Sequence, residues 1–221
     1  MIKLVVTADG SSTLFVVELN EHYHSTFGAI QESRHIFIEA GFKHQQKKFN
    51  QIKILEIGFG TGLNALLSLD ESVRNEVQTD YCGIEPYPVK SEFIEALNYG
   101  KVLKNEFLST HFIQIHETAW NCRVKLASNF VLEKMKDTIE NVELPDSYFN
   151  IVYFDAFGPD VQSEIWTEKI FKKIYNSMVP DGVLVTYSVK GIIKRALKSV
   201  GFTIEKLSGP IGKREFLRAL K

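Results

Sequence analysis

Three glycines alternate with other residues at Gly58, Gly60 and Gly62, directly behind the apolar run that holds Ile54, Leu55 and Ile57 around Glu56. Leu63 to Leu69 then continue with helical character. The order reads as strand, tight glycine turn, helix start. Such a turn lets a ligand approach the backbone where side chains would otherwise block it. The spacing also separates ligands. A dinucleotide fingerprint places its third glycine or alanine one position later, where this chain has Leu63.

Composition bounds the rest. A chain of 221 residues with 44% hydrophobic content supports one sizeable core. No stretch is apolar for long enough to cross a membrane, and Met1-Ile2-Lys3 does not open a signal peptide. Cys82 and Cys122 suggest no disulfide framework, so a reducing cytoplasm is the expected setting. The histidines show no zinc-site spacing, the His22/His24 pair reads as a loop feature, and no metal is expected. Net charge is −1, which argues against generic coating of nucleic acid. The distribution is uneven. From Lys190 to the end stand nine Lys or Arg and two Glu, a net of +7 that leaves −8 for the remainder. That basic quarter is either a footprint for phosphates or a solvated helix face, and charge alone does not choose.

Along the chain, Leu4 to Val6 and Leu14 to Val17 read as a hairpin around Asp9-Gly10-Ser11-Ser12, and Gly28 to Ala40 as a helix ending near Gly41. Lys43 to Gln51 is a polar connector. Strands are expected at Ile52–Ile57, Gln78–Ile84, Phe112–His116 (weaker), Phe130–Met135, Asn150–Phe154 and Gly182–Ser188. Helices are expected at Leu63–Leu69, Pro88–Leu97, Ile165–Met178 and Gly191–Val200, with Pro180-Asp181-Gly182 as a stop and turn. Phe202–Leu207 and Glu215–Leu220 form a late pair joined by a short loop. This alternation predicts an α/β fold, a doubly wound sheet that is mostly parallel with an antiparallel last strand. A small hairpin and helix extension over 1–50 precedes the main unit, 51–221.

Certain residues carry chemistry by position. Glu85 ends the second core strand, where a carboxylate can accept from both ribose hydroxyls. The same placement suits NAD, so Glu85 alone does not separate the cofactors. Asp155 ends a buried strand and is followed by Ala156-Phe157-Gly158-Pro159, which puts it where open α/β sheets bind substrate. Trp166 reads as packing rather than base stacking. Asp137 lies in polar sequence with no physical claim of its own, and the Lys213-Arg214 pair could hold phosphate, although such pairs are common on surfaces.

The form Glu56-x-Gly58-x-Gly60-x-Gly62 resembles the first motif of class I S-adenosylmethionine-dependent methyltransferases, with their Rossmann-like fold. Together, Gly58-Phe59-Gly60-Thr61-Gly62-Leu63-Asn64, Asp155-Ala156-Phe157-Gly158-Pro159, Trp166 and Gly212-Lys213-Arg214-Glu215 resemble the methyltransferase domain of the MnmC family, which modifies the tRNA wobble uridine. Tyr23-His24-Ser25, Gly28 and Glu32-Ser33-Arg34-His35-Ile36-Phe37 resemble that family's lead-in. The resemblance implies methyl transfer from S-adenosylmethionine to the amino group of 5-aminomethyluridine, 2-thiolated or not, in a tRNA anticodon loop. Longer members carry a fused flavin oxidase for which this chain has no room, so a stand-alone form is expected, with a separate enzyme making the aminomethyl precursor.

By the same resemblance, Glu56 and the turn Gly58, Phe59, Gly60, Thr61, Gly62 and Asn64 hold the methionine part, Glu85 the ribose and Asp137 the adenine. Asp155 faces donor and amine. Tyr23, Glu32, Arg34, Phe157 and Pro159 shape the acceptor pocket, and Lys213 and Arg214 meet tRNA. The chemistry needs positioning and an unprotonated amine. Were the amine's pKa near a lysine's, about 10.4, freeing the lone pair at pH 7 would cost about 4.6 kcal/mol. Asp155, at an unperturbed pKa of about 3.9, is a weak base, so its expected role is to orient the amine and take its proton as charge shifts. Rival readings are methylation of a small-molecule or protein amine, a nicotinamide-dependent oxidoreductase, and a binding module without catalysis.

Overall fold

The computed structural model describes all of residues 1–221. Strands β1 (Ile2–Val6) and β2 (Ser12–Val16) form the antiparallel hairpin, with Leu4 opposite Leu14. A two-residue strand that the sequence did not reveal, β3 (Glu21–His22), pairs with β2 and turns the chain back. Helix α1 (Ala29–Ser33) then passes unbroken into a π-helical stretch, Arg34–Phe42, and a last turn, α2 (Lys43–Gln45). The expected stop at Gly41 is absent. Gly41 serves close packing instead, since a Cβ there would lie 2.9 Å from Tyr153 Cε1.

The core alternates as expected: β4 (Gln51–Ile57), α3 (Leu63–Arg74), β5 (Gln78–Ile84), α4 (Ser91–Ala96), α5 (Tyr99–Val102), α6 (Glu106–Glu117), β6 (Arg123–Ala127), β7 (Phe130–Met135) and β8 (Phe149–Phe154). It ends with α7 (Glu168–Ser177), β9 (Met178–Thr186), α8 (Gly191–Ser199), β10 (Thr203–Ser208) and β11 (Glu215–Leu220). The sheet order is β10-β11-β9-β8-β4-β5-β7-β6. The five strands from β9 to β7 are parallel; β11 and β6 run against them, and β10, antiparallel to β11, runs with them again at the margin. This is the class I methyltransferase-type doubly wound sheet with an antiparallel finish. Its switch in crossover direction lies between β4 and β8, so the carboxyl ends of β4, β5 and β8 open on one crevice.

Two further expectations fail. Phe112–His116 is not a strand but part of α6. Leu108, Phe112 and Ile115 fall on one buried helical face, and the Asn105 side chain caps the start by accepting from Leu108 N–H at 3.3 Å. Judged alone, the five-residue window hid that period. Pro180-Asp181-Gly182 does not precede a strand but bulges within one. Phe149 pairs Met178 and Ile151 pairs Val183, so Val179 to Gly182 stand opposite Asn150 alone.

Each sheet face carries its own apolar layer. The π-helical stretch, α3 and α6 bury Phe37, Leu66 and Phe112 on one side, with Leu14 of β2 joining them. On the other, α7 and α8 bury Phe171, Ile174 and Leu197. No helix is long and apolar enough to cross a membrane. Gln45, fully buried, fastens the helical layer to the bulge by donating from Nε2 to the carbonyls of Asn150 at 2.9 Å and Asp181 at 2.8 Å. Removing that donor leaves both acceptors short of a partner. Gln45→Met is expected to lower stability by about 2–6 kcal/mol, at about 1–3 for each of the two stranded groups, read as a lower urea midpoint with unchanged slope.

Candidate active site

The glycine turn is held by its neighbours on both sides. The N–H groups of Gly58 and Phe59 both donate to the Ile84 carbonyl at 3.1 Å, which draws the turn toward β5. Gly58 sits at φ +87°, and a Cβ there would stand 2.8 Å from the Asp155 carbonyl oxygen. Only glycine combines that conformation with that approach. The Phe59 ring drops into the space left by Gly83, away from the crevice, and meets His116 and Trp120 edge-on.

Behind the turn lies a buried polar network. Asn64, in the first turn of α3, directs Nδ2 at two carboxylates, Glu56 Oε1 and Asp155 Oδ2, both at 2.8 Å. The amide has two N–H bonds, one for each. Glu56 also accepts from Tyr81 O–H at 2.7 Å. Burial pushes both carboxyls well above the ordinary range. The Tyr81 and Asn64 bonds oppose this for Glu56, while Glu32 adds to it for Asp155. Thr61 is buried too. Its hydroxyl accepts from Tyr99 O–H at 3.1 Å and lies 3.4 Å from His24 Nε2, and its carbonyl accepts from His116 Nε2 at 3.0 Å. Desolvation pushes both imidazoles down to about 4. His24 is thus a neutral strut and not a loose loop feature.

A cavity of 620 Å³ opens above the turn. Its floor is Gly58 and Gly60, and one wall is Glu85 at the end of β5. The Glu85 carboxylate accepts from Gly60 N–H at 3.0 Å and Tyr87 N–H at 2.9 Å, while burial raises its pKa. Asp155 and Phe157 form the opposite wall, with Tyr187 beyond them donating to the Ala156 carbonyl at 2.9 Å. The roof comes from the N-terminal segment. Tyr23 lies over Gly60, so that a Cβ on that glycine would meet its ring at 3.1 Å, and Tyr23 meets Phe157 edge-on. Burial pushes the Tyr23 phenol up to about 12. Glu32 accepts from Ser25 N–H at 2.8 Å, and its other oxygen lies 2.5 Å from Lys213 Nζ.

Of the residues expected at the site, Tyr23, Glu32, Gly58, Gly60, Glu85, Asp155, Phe157 and Lys213 line this cavity. Glu56, Phe59, Thr61, Gly62 and Asn64 support it from behind and do not face it. Asp137 is exposed, and its carboxylate caps the following turn by accepting from Thr138 N–H at 2.7 Å; it is the next three residues, Thr138 to Glu140, that reach the cavity. Arg34 is exposed on the π-helical stretch, Pro159 is buried outside the cavity, and Arg214 is exposed and points elsewhere. Trp166 packs on Phe154, with ring centroids 4.5 Å apart, and donates to the Phe157 carbonyl. Tyr187 escaped the sequence reading, although its place just past a core strand could have marked it. The basic quarter is largely spent internally. Lys190 pairs with Asp160, Lys206 with Glu215, Lys213 with Glu32 and Arg218 with Glu205, and Lys221 donates to the carbonyls of Tyr175 and Met178, leaving Lys194, Arg195, Lys198 and Arg214. No group of three or more His, Cys, Asp or Glu side chains is placed to hold a metal ion.

A family model described as S-adenosyl-L-methionine-dependent methyltransferase matches residues 95–221, more than half of the chain. The chain belongs to this methyltransferase family. Its methyl donor is therefore S-adenosylmethionine, and the site suits it: a floor with no side chains, a half-buried carboxylate at the end of β5 and a cavity of ligand size. The chain is similar to the tRNA 5-methylaminomethyl-2-thiouridine biosynthesis bifunctional proteins MnmC of Burkholderia multivorans and Legionella pneumophila. The first is 26% identical over 93% of this chain and 33% of its own length, the second 28% over 97% and 36%. This chain thus spans about a third of those relatives. Among solved structures, MnmC2 from Aquifex aeolicus superposes with a TM-score of 0.81 at 24% identity, covering all of this chain and 70% of that one. Spermidine synthase from Thermotoga maritima follows the same fold at a TM-score of 0.56 and 13% identity, over 95% and 68%.

Two outcomes follow for this methyltransferase. Glu85→Ala is expected to weaken S-adenosylhomocysteine binding about ten- to a hundredfold by calorimetry, the scale of one hydrogen bond to a charged group. NADH should bind neither protein. The second concerns pH. Glu56 and Asp155 have raised pKa values when folded, so the native state keeps protons that the unfolded chain releases. Their contribution is complete below the unfolded carboxyl range and is lost as pH rises through the folded values. Between about pH 7.5 and 8.5, above the unfolded histidine value of about 6.5, so that His24 and His116 are neutral in both states, the ligand-free urea midpoint should fall as pH rises, and Glu56→Gln should flatten that slope.

Proposed function

We propose that this protein transfers a methyl group from S-adenosylmethionine to the amine of 5-aminomethyluridine, 2-thiolated or not, at the wobble position of tRNA, giving 5-methylaminomethyluridine. The observation that carries the reading is Asp155, a half-buried carboxylate facing the same cavity as the glycine floor and Glu85. The names of the MnmC relatives support the choice of acceptor.

In this reading the Gly58–Gly60 backbone and Glu85 hold the donor, residues 51–221 form the transferase unit and residues 1–50 its roof. When bound, S-adenosylmethionine supplies an activated methyl that needs no metal. The chain's task is to aim a nitrogen lone pair at it. Asn64 fixes Asp155 Oδ2, leaving Oδ1 to accept an N–H from the amine. Burial makes Asp155 a stronger base than a solvated carboxylate, so it can take the proton that the nitrogen sheds once methylated. The base must leave the anticodon stack, which is cheap in a loop already single-stranded. Arg214 and the free cations of α8 would hold phosphates.

The test is mass spectrometry of nucleosides from tRNA of a strain lacking the modification, before and after incubation with enzyme and S-adenosylmethionine. Conversion of 5-aminomethyluridine is expected. Asp155→Ala should slow it by about a hundredfold or more, while S-adenosylhomocysteine affinity changes little. Unmodified tRNA after incubation would overturn the reading, and unchanged turnover in the variant would remove Asp155 from it.

A further inference from the structure

Lys213 does not stand where a phosphate-binding lysine belongs. It lies in the loop between β10 and β11, yet its ammonium turns inward, 2.5 Å from Glu32 Oε1 and 4.3 Å from the centroid of the Tyr187 ring. Its side chain is 29% exposed and that of Glu32 only 9%. Glu32 is itself anchored by Ser25 N–H, so the pair is built into the wall and not a chance surface contact. Lys213 cannot reach a phosphate without abandoning both partners.

What the ammonium faces is the acceptor side of the cavity. Glu32 comes from α1, Asp155 from the loop after β8 and Tyr187 from the loop after β9. Tyr23 and His24 come from the segment after β3, and Glu21 of β3 lines the cavity nearby. Both Glu32 and Lys213 act electrostatically on Asp155, in opposite senses, and Lys213 also acts on His24. Glu85 acts on Tyr23 from the far wall. The carboxylates Glu32 and Asp155 therefore share their space with one cation.

That balance matters for an amine acceptor. Two carboxylates alone would trap it as an ammonium ion, which has no lone pair. We propose that Lys213 is a resident counter-cation that offsets Glu32 and Asp155, so that the acceptor amine is held beside Asp155 in its neutral, nucleophilic form. This rests on the amine-methylation reading above. The step then balances. The nitrogen lone pair forms the new N–C bond as the C–S bond breaks, and that electron pair stays on sulfur to leave a neutral thioether. The nitrogen, now cationic, releases one proton to Asp155. A fixed neighbouring cation disfavours a protonated amine by the same effect that activates lysine nucleophiles.

The test compares wild type with Lys213→Met, Lys213→Arg and the double variant Glu32→Gln/Lys213→Met on tRNA bearing 5-aminomethyluridine. In Lys213→Met the acidic limb of the kcat profile should move up by about one pH unit, a roughly tenfold loss of kcat below the limb, while KM does not rise. Lys213→Arg should leave the limb near its wild-type position, and the double variant should return it there. A second readout is independent of turnover. With the aminomethyl carbon labelled with carbon-13 and S-adenosylhomocysteine bound, the amine's NMR titration midpoint should be higher in Lys213→Met than in wild type. An unshifted limb and midpoint, or a higher KM with a weaker salt dependence, would make Lys213 a phosphate contact and overturn the proposal. Failure of the double variant to restore the limb would overturn it as well. A wild type that neither binds nor methylates 5-aminomethyluridine overturns the parent reading and this one together; a working wild type with an unshifted variant overturns this one alone.

Discussion

One side-chain amide joins the parts on which the site depends. Asn64 spends its two N–H bonds on Glu56 and Asp155, and so links the end of β4, the first turn of α3 and the end of β8. Two carboxylates buried this close would repel each other and starve for donors without it. Tyr81 supplies a further donor to Glu56 from β5. The glycine turn rides on this clamp, because Gly58 can press against the Asp155 carbonyl only if β4 and β8 end in fixed register.

The cavity above the clamp divides its labour by charge and by origin. The sheet provides the floor and the two opposed acids, Glu85 and Asp155, a division that recurs wherever an open parallel sheet binds ligand. The N-terminal segment provides the lid: Tyr23 over the floor, Glu32 against Lys213, and His24 as an uncharged brace behind them. A cavity rich in carboxylates suits a cationic donor and a basic acceptor, and it keeps a polyanion at its rim.

Much of the architecture was legible in the chain, for identifiable reasons. The glycine spacing, the apolar run of β8 and the turn after β10 are local signals, and local signals survive in a single sequence. Glu85 and Asp155 could be placed at the cavity because the position rule for open sheets puts the ligand crevice at strand ends. What escaped depends on partners remote in sequence. Phe112–His116 becomes helical only through a cap and a face set over twelve residues of α6. Gly41 looks like a stop until Tyr153 is seen beneath it. Lys213 and Arg214 look alike in sequence, but Glu32 lies 181 positions upstream of Lys213 and draws in one and not the other.

The π-helical stretch has a bearing on biogenesis. Its buried face, with Phe37 and Gly41, rests on Tyr153 of β8 and on Val185 of β9. A ribosome synthesises that face well over a hundred residues before either platform exists. Until β8 and β9 emerge, that oily ridge lacks its platform, and it is an obvious handhold for chaperones. The ligand pocket, roofed by the segment before this stretch and walled by the loops after β8, β9 and β10, can be completed only once all of those loops have been synthesised.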